Sequence, residues 1–323
     1  EPGEVVFTSG GTESTNMALK WLARWVGRKS GRVITSAIEH SAVLKPVETF
    51  EGVGYAVDRV GVDAGGRLDL EAWAVACAAA EEAGGGFVSL MAVNNETGVI
   101  QPLAEAAEVA RAHGLAVHSD AIQAVGKIPL KVKDLGVDFL SLSGHKFYAP
   151  KGVGALYIRK GCRFEPMVRG GGQEFGHRSG TENVAGIVAL GEASRLAVER
   201  MRGDANERLR GLRDAFEARI MESLDGVTVN GDQIHRLPQT THLSFAGCEA
   251  EGLLILLDEK GVACSAGSAC MTGKRQPSHV QKAMGFSDAK ARSSLRFGLH
   301  ELNTPEEIEQ AADAVVGAVN KLR

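Results

Sequence analysis

The chain has no apolar run long enough to cross a bilayer. Its longest strongly apolar stretch, Leu253 to Leu257, falls far short of the roughly 20 residues a spanning helix needs. No signal-peptide pattern opens it. A basic excess is also absent, because 36 Lys and Arg stand against 40 Asp and Glu, for a net charge of −4. A duplex-binding protein carries a basic excess or stripe, so neither nucleic acid nor a membrane is an expected partner. Cysteine pairing is missing too. Cys77, Cys162, Cys248, Cys264 and Cys270 are odd in number and scattered. They give neither a disulfide framework nor the C-x-x-C spacing of a structural zinc site. A cytoplasmic chain with reduced thiols is the expectation. There is no internal repeat and no low-complexity tract. There is no initiator Met either: the chain opens Glu1-Pro2-Gly3-Glu4, as a processed or partial chain would.

What is present is a rhythm. The 323 residues suffice for a large core and one or two domains. Val5-Val6-Phe7 reads as a strand, followed by a Gly-Gly turn and a helix to about Trp25. Val33-Ile34-Thr35 is a second strand, Leu70 to Ala83 an Ala-rich helix, Phe87 to Val93 a buried strand and Ala104 to His113 a helix. Leu115-Ala116-Val117, Asp138 to Leu142 and Val153 to Ile158 are further strands. Such alternation predicts an α/β fold with a mostly parallel mixed sheet covered by helices. Gly84-Gly85-Gly86 reads as a plain surface turn. The pattern changes after about residue 183. Val184 to Met201 and Asn206 to Leu224 read as helices, Thr241 to Phe245 as a strand, Ala250 to Lys260 as a helix and Leu295 to Leu299 as a strand. The last helix opens on Thr304-Pro305-Glu306-Glu307, a capping box with Pro at the first helical position. Residues 1–201 are read as a large domain and 202–323 as a smaller α+β domain.

Two strand ends carry the strongest chemical signal. Ser143-Gly144-His145-Lys146 follows one apolar run, and Asp120, 26 residues before the lysine, follows another. Ligand sites gather at strand ends in α/β sheets. A lysine and an aspartate there suit pyridoxal phosphate (PLP): the amine forms a Schiff base, and the carboxylate keeps the pyridine nitrogen protonated. A structural ion pair explains a lone Lys and Asp equally well. Other residues favour the cofactor. Thr8-Ser9-Gly10-Gly11-Thr12-Glu13-Ser14 joins a strand to a helix, where Gly11 and Thr12 would receive a phosphate, although Ser and Thr there also serve as ordinary N-caps. Ser143 and His145 could reach the same phosphate. His40 could stack on the ring and move protons. Asn95, in Asn94-Asn95-Glu96-Thr97-Gly98, and Gln123, one helical turn from Asp120, could reach the phenolic oxygen. Cys270 sits among small residues with Lys274 and Arg275 nearby, which predicts an exposed, mobile loop and a bias toward thiolate. Cys77 and Cys264 read as structural. Arg296 alternates with apolar neighbours on a strand, so it needs an anion, either a substrate carboxylate or a structural one.

Taken together these segments resemble the NifS/IscS-type cysteine desulfurases, PLP enzymes of the class-V aminotransferase family with the fold type I (aspartate aminotransferase-like) architecture. Ser9 to Ser14, Glu39-His40, Asn94 to Gly98, Asp120 to Gln123, Ser143 to Lys146, Arg178-Ser179-Gly180-Thr181, Gly267 to Cys270 and Ser294 to Phe297 occur in family order over nearly the whole chain. The resemblance implies that Lys146 bears PLP and Asp120 pairs with its pyridinium. Gln123 and Asn95 then contact the phenolate oxygen, His40 stacks on the ring, and Gly11, Thr12, Ser143 and His145 hold the phosphate. Thr181 would reach the phosphate of a neighbouring subunit in a homodimer, which makes Gly170-Gly171-Gly172 through Thr181 an interface loop. Arg296, with Asn95, would bind L-cysteine. Cys270 would take the substrate sulfur as a persulfide, release L-alanine and pass the sulfur to an Fe–S scaffold or other acceptor protein. The only metal role implied for Cys270 is as a transient Fe–S ligand shared with such a scaffold. The family carries roughly sixty further residues before the Gly-Thr loop, including an Ala-Ala-Thr-Thr-type segment, so a truncated, PLP-free scaffold is one alternative. A selenocysteine lyase or an aminotransferase of the same fold is another, although an aminotransferase has no need of Cys270.

Overall fold

The computed structural model describes residues 1–27, 31–266 and 277–323. Cys270 and its neighbours Lys274 and Arg275 lie outside the described residues.

The chain forms two compact units. The first comprises Glu1–Gly61, Leu68–Asn94 and Gln101–Met201. In it β1 (Val5–Thr8), α1 (Gly11–Val26), β2 (Arg32–Ser36), α2 (Ser41–Gly52), β3 (Ala56–Val60), α3 (Leu70–Glu82), β4 (Gly86–Ser89), α4 (Leu103–Ala112), β5 (Ala116–Asp120), α5 (Val132–Leu135), β6 (Phe139–Ser143), β7 (Gly154–Ile158) and α6 (Val184–Arg202) follow one another. The seven strands form one sheet in the order β1-β7-β6-β5-β4-β2-β3. The β3, β2, β4, β5 and β6 strands run parallel, whereas β7 is antiparallel to both β6 and β1. The parallel strands and β1 therefore point their C-terminal ends to one edge. Strands β4, β5 and β7 are buried at every position, as expected of a sheet covered on both faces. The apolar face of α1, with Met17, Ala18, Leu19, Leu22 and Ala23, packs with Val33, Val43, Phe87, Phe139 and Leu156 in one core cluster. Trp73 of α3 is fully buried and donates its Nε1–H to the Ala106 carbonyl of α4 at 3.0 Å.

Two local expectations change. The strand expected over Phe87 to Val93 is regular only to Ser89. Leu90 and Ala92 still donate to the His118 and Asp120 carbonyls, but the ladder has lost its regular pattern. Gly86 belongs to β4 rather than to the preceding turn. A Cβ there would lie 2.4 Å from the Arg32 carbonyl oxygen, so the neighbouring strand demands glycine. The elements α2 and β3 carry only weak local signals, because Pro46 sits inside α2 and β3 is a partly exposed edge strand.

The second unit comprises Val62–Arg67, Asn95–Ile100 and Arg202–Arg323. Two segments from the first half of the chain thus join it, and one of them brings Asn95. It contains α7 (Ala205–Ser223), β8 (Val227–Val229), β9 (Thr240–Phe245), α8 (Ala250–Asp258), β10 (Ser265–Ala266), α9 (His279–Ala283), α10 (Asp288–Arg292), β11 (Ser294–Gly298) and α11 (Pro305–Leu322). Its antiparallel sheet has the order β10-β11-β9-β8. Leu243, Phe245, Leu253, Leu257, Leu295, Val315 and Val319 form the centre of its core. The expected capping box is present: Thr304 Oγ1 accepts from the Glu307 amide at 3.2 Å, and Glu307 accepts from the Thr304 amide at 3.1 Å.

Candidate active site

In the first unit the candidate residues collect at the C-terminal edge of the sheet. Asp120 ends β5 and Ser143 ends β6. The chain then turns through a short 3-10 helix, Gly144–Phe147, which carries Lys146 and closes on Tyr148 in the left-handed region at φ 77°. Asp120 is 4 % exposed. Its Oδ1 accepts from the Ile122 amide at 3.0 Å, and no hydrogen bond among the described residues engages Oδ2. Burial pushes its carboxyl up to about 6, against the pull of the Ile122 amide and the Lys146 ammonium. The two residues singled out by sequence therefore interact electrostatically. A buried carboxylate with an open oxygen calls for a cationic donor.

Helix α1 starts at the same edge. Its first intrahelical bond runs from the Ser14 amide to the Gly10 carbonyl. The amides of Gly11 and Thr12 are therefore left for an anion at the positive end of the helix dipole. A Cβ on Gly11 would stand 3.4 Å from Ser143 Cβ and one on Gly10 3.7 Å from Ser143 Oγ, so the glycine turn and the end of β6 meet. Ser143 Oγ bonds His145 Nδ1 at 2.9 Å. Burial, then Lys146, Lys151 and Lys127, lowers the His145 pKa. Glycine amides, a hydroxyl and an imidazole thus lie together as groups with the chemistry to receive a phosphate. Beside them lie the lysine and the buried carboxylate, and this donor set fits PLP.

His40 caps α2, its Nδ1 accepting from the Ala42 amide at 3.1 Å, which places the proton of the neutral ring on Nε2. Gln123 is half-buried, and Lys127 Nζ donates to its Oε1 at 2.5 Å. Only the amide hydrogens of Gln123 are then left to donate toward a phenolate. Thr181 is exposed and borders a cleft of about 180 Å³ with Glu174 and Arg178. Arg178 pairs with Glu13 in the first turn of α1 at 2.8 Å.

Glu39, part of the Glu39-His40 segment but given no role by the sequence, is a further candidate. It is fully buried, and its Oε1 accepts from Ser36 Oγ and the Met91 amide, both at 2.8 Å. Burial pushes its carboxyl up to about 8, and the charge of Asp120 adds to the shift. Nothing in Ile38-Glu39-His40 signals burial, because the residues that enclose Glu39 are distant in sequence.

The second unit holds Asn95 and Arg296. Arg296 Nη1 donates to the Asn95 carbonyl at 2.6 Å. Glu96 is buried, with Ser278 Oγ donating to its Oε2 at 2.5 Å. Its burial was also hidden in the sequence, where Asn94 to Gly98 looks like a polar turn. Cys264 is half-buried and burial pushes its thiol up to about 11; for Cys77 the figure is about 12. In both, burial disfavours the thiolate, the nucleophilic form. No group of His, Cys, Asp and Glu among the described residues is arranged to hold a metal ion. No described helix is long and apolar enough to cross a membrane.

Residues 1–311 match the family model for class-V aminotransferases. A cysteine desulfurase of Gluconacetobacter diazotrophicus is 44% identical over 322 residues, covering 99% of this chain and 79% of the relative. The cysteine desulfurase NifS of Azotobacter vinelandii is 43% identical over 321 residues, covering 99% of this chain and 78% of that one. A solved NifS-like protein superposes with a TM-score of 0.91 at 35% identity, covering 99% of this chain and 84% of the other. The chain belongs to the class-V aminotransferase family, within its PLP-dependent cysteine desulfurase branch.

Proposed function

We propose that this chain takes sulfur from L-cysteine with PLP as cofactor, releases L-alanine and retains the sulfur on Cys270 as a persulfide. The observation that carries this reading is the pair at the ends of β5 and β6: a buried Asp120 with an open carboxylate oxygen, under the influence of the Lys146 ammonium. PLP, when bound, supplies an electron sink. Lys146 holds the cofactor and relays protons. Asp120 keeps a negative charge against the pyridine nitrogen. Gly11, Thr12, Ser143 and His145 neutralise and orient the phosphate, and His40 offers its Nε2 proton at the ring. Asn95 and Gln123 contact the phenolic oxygen. Arg296 binds the substrate carboxylate as a bidentate cation.

The Cys270 thiolate attacks the substrate sulfur, the carbon–sulfur bond breaks with its electron pair going to the substrate carbon, that carbon is protonated to give L-alanine, and the sulfur remains as Cys270–S–SH. The resulting persulfide serves an Fe–S scaffold or another acceptor protein. The enzyme works as a cytoplasmic homodimer in which Thr181 reaches the neighbouring subunit's phosphate. Two measurements test the reading. The purified protein should show a visible cofactor band that shifts on borohydride reduction and is absent in Lys146→Ala. Mass spectrometry after L-cysteine treatment should find one added sulfur, on the peptide of Cys270. An unchanged band in Lys146→Ala, or the sulfur on Cys264, would overturn it.

A further inference from the structure

The strongest unassigned feature is the carboxyl of Glu96, 4 % exposed inside the second unit. Three groups converge on it. Ser278, the N-cap of α9, donates to its Oε2 at 2.5 Å while accepting from the Val280 amide at 3.1 Å. Gln281, one turn into α9, hydrogen-bonds it as well. The Arg296 guanidinium of β11 acts on it as a charge, and Arg296 is tied to the same segment through the Asn95 carbonyl. Behind them His242 of β9 lies 3.4 Å from Gln281 Nε2 and 3.0 Å from Asn230 Nδ2. Burial, then Arg296 and Lys290, pushes His242 down to about 3, so this ring is neutral and adds no charge. For Glu96, burial pushes the carboxyl up to about 7, opposed by Ser278, Arg296 and Gln281.

Glu96 directly follows the residue whose carbonyl holds the Arg296 guanidinium, and its buried carboxylate feels that charge, so it would share the cation with any anion docked there. If a second carboxylate docks on Arg296, two anions share one cation in a poorly solvated place. The least costly response is for the buried one to accept a proton. We propose that Glu96 is a positioning residue that couples carboxylate binding at Arg296 to the uptake of one proton, giving up its own charge when the substrate arrives. This rests on the reading of Arg296 as the substrate-carboxylate clamp. Substrate binding would then be gated by pH at a group that does not touch the reacting atoms.

The test is calorimetric binding of 3-mercaptopropionate to the holoprotein between pH 6 and pH 8, in buffers of different ionisation enthalpy. This probe keeps the carboxylate and thiol of L-cysteine but has no amine to join the cofactor. With one linked proton and a midpoint near neutrality, affinity should be about tenfold weaker at pH 8 than at pH 6. Proton uptake should approach one at the alkaline end. Glu96→Gln should abolish the uptake and bind at pH 8 about as tightly as the wild type does at pH 6. Ser278→Ala removes a hydrogen bond that favours the anion, so the wild-type midpoint should move to higher pH. Wild-type affinity independent of pH, or wild-type linkage surviving in Glu96→Gln, would overturn the proposal. Arg296→Ala separates the two layers. If it abolishes binding at both pH values while the wild type shows no linkage, only the proposal fails; if it leaves binding intact, the clamp fails and takes the proposal with it.

Discussion

In the proposed function Asp120 serves a backbone amide and the cofactor together. Its Oδ1 is held by the Ile122 amide, which an asparagine oxygen would hold equally well. Asp120→Asn should therefore fold and bind PLP but lose the charge that keeps the pyridine nitrogen protonated. A lost preorganised electrostatic partner costs about 10²–10³ in kcat. Alanine production by the purified variant is the measurement, and near-normal turnover would make Asp120 structural only. Arg296 has the opposite profile. Removing one partner of a buried charged pair costs roughly 2–5 kcal/mol, so Arg296→Ala should weaken L-cysteine binding steeply while leaving PLP affinity unchanged. Parallel titrations with L-cysteine and with PLP check both halves.

At the scale of elements, the start of α1 is a packing joint and, in the proposed function, the anion site as well. A Cβ on Gly11 would lie 2.1 Å from Ile122 Cδ1 and 2.8 Å from its Cγ1. Ile122 is two residues from Asp120, so relief there disturbs the carboxylate's neighbourhood. Gly11→Ala should cost about 1–3 kcal/mol as overpacking and also lower PLP affinity, read by urea unfolding and by cofactor titration. Stability lost without any change in PLP affinity would separate the helix start from the site. The capping box of α11 is remote from such chemistry. Thr304→Ala removes the acceptor for the Glu307 amide and should cost ~1 kcal/mol in urea unfolding, with turnover unchanged.

Across the whole molecule, buried titratable groups set the pH dependence of stability. Glu39, Glu96 and Asp120 have folded-state pKa values raised to about 8, 7 and 6. A raised pKa means that the folded state binds more protons than the unfolded one, so these groups favour folding at low pH and lose that contribution as pH rises through those values. His118 and His242, pushed down to about 3, work the other way, and their contribution is lost as pH falls below the usual histidine range. His118 is locked between Ser89 and Ser141 at 2.9 Å on each side. The two sets oppose each other in mildly acid solution, but only the carboxyls act above neutrality. Cofactor-free protein should therefore melt at progressively lower temperature from pH 6.5 to pH 8.5, and Glu39→Gln should flatten that slope. A melting temperature that climbs over this interval would contradict the assignment.

The sequence by itself determined the alternating elements, the capping box, the glycine turn before α1 and the positions of Asp120 and Lys146 at strand ends. Each of these is written in residues a few places apart, through hydrophobic period, backbone freedom or cap chemistry. Only the tertiary structure decided which polar residues lose their water. Glu39 and Met91 are 52 residues apart, and Glu96 and Ser278 are 182 apart. No local pattern distinguishes these glutamates from those on the surface. The early end of β4 and the placement of Asn95–Ile100 in the second unit have the same origin. Propensity and period are properties of a short stretch of chain, whereas desolvation and the choice of partner are properties of everything that folds around it.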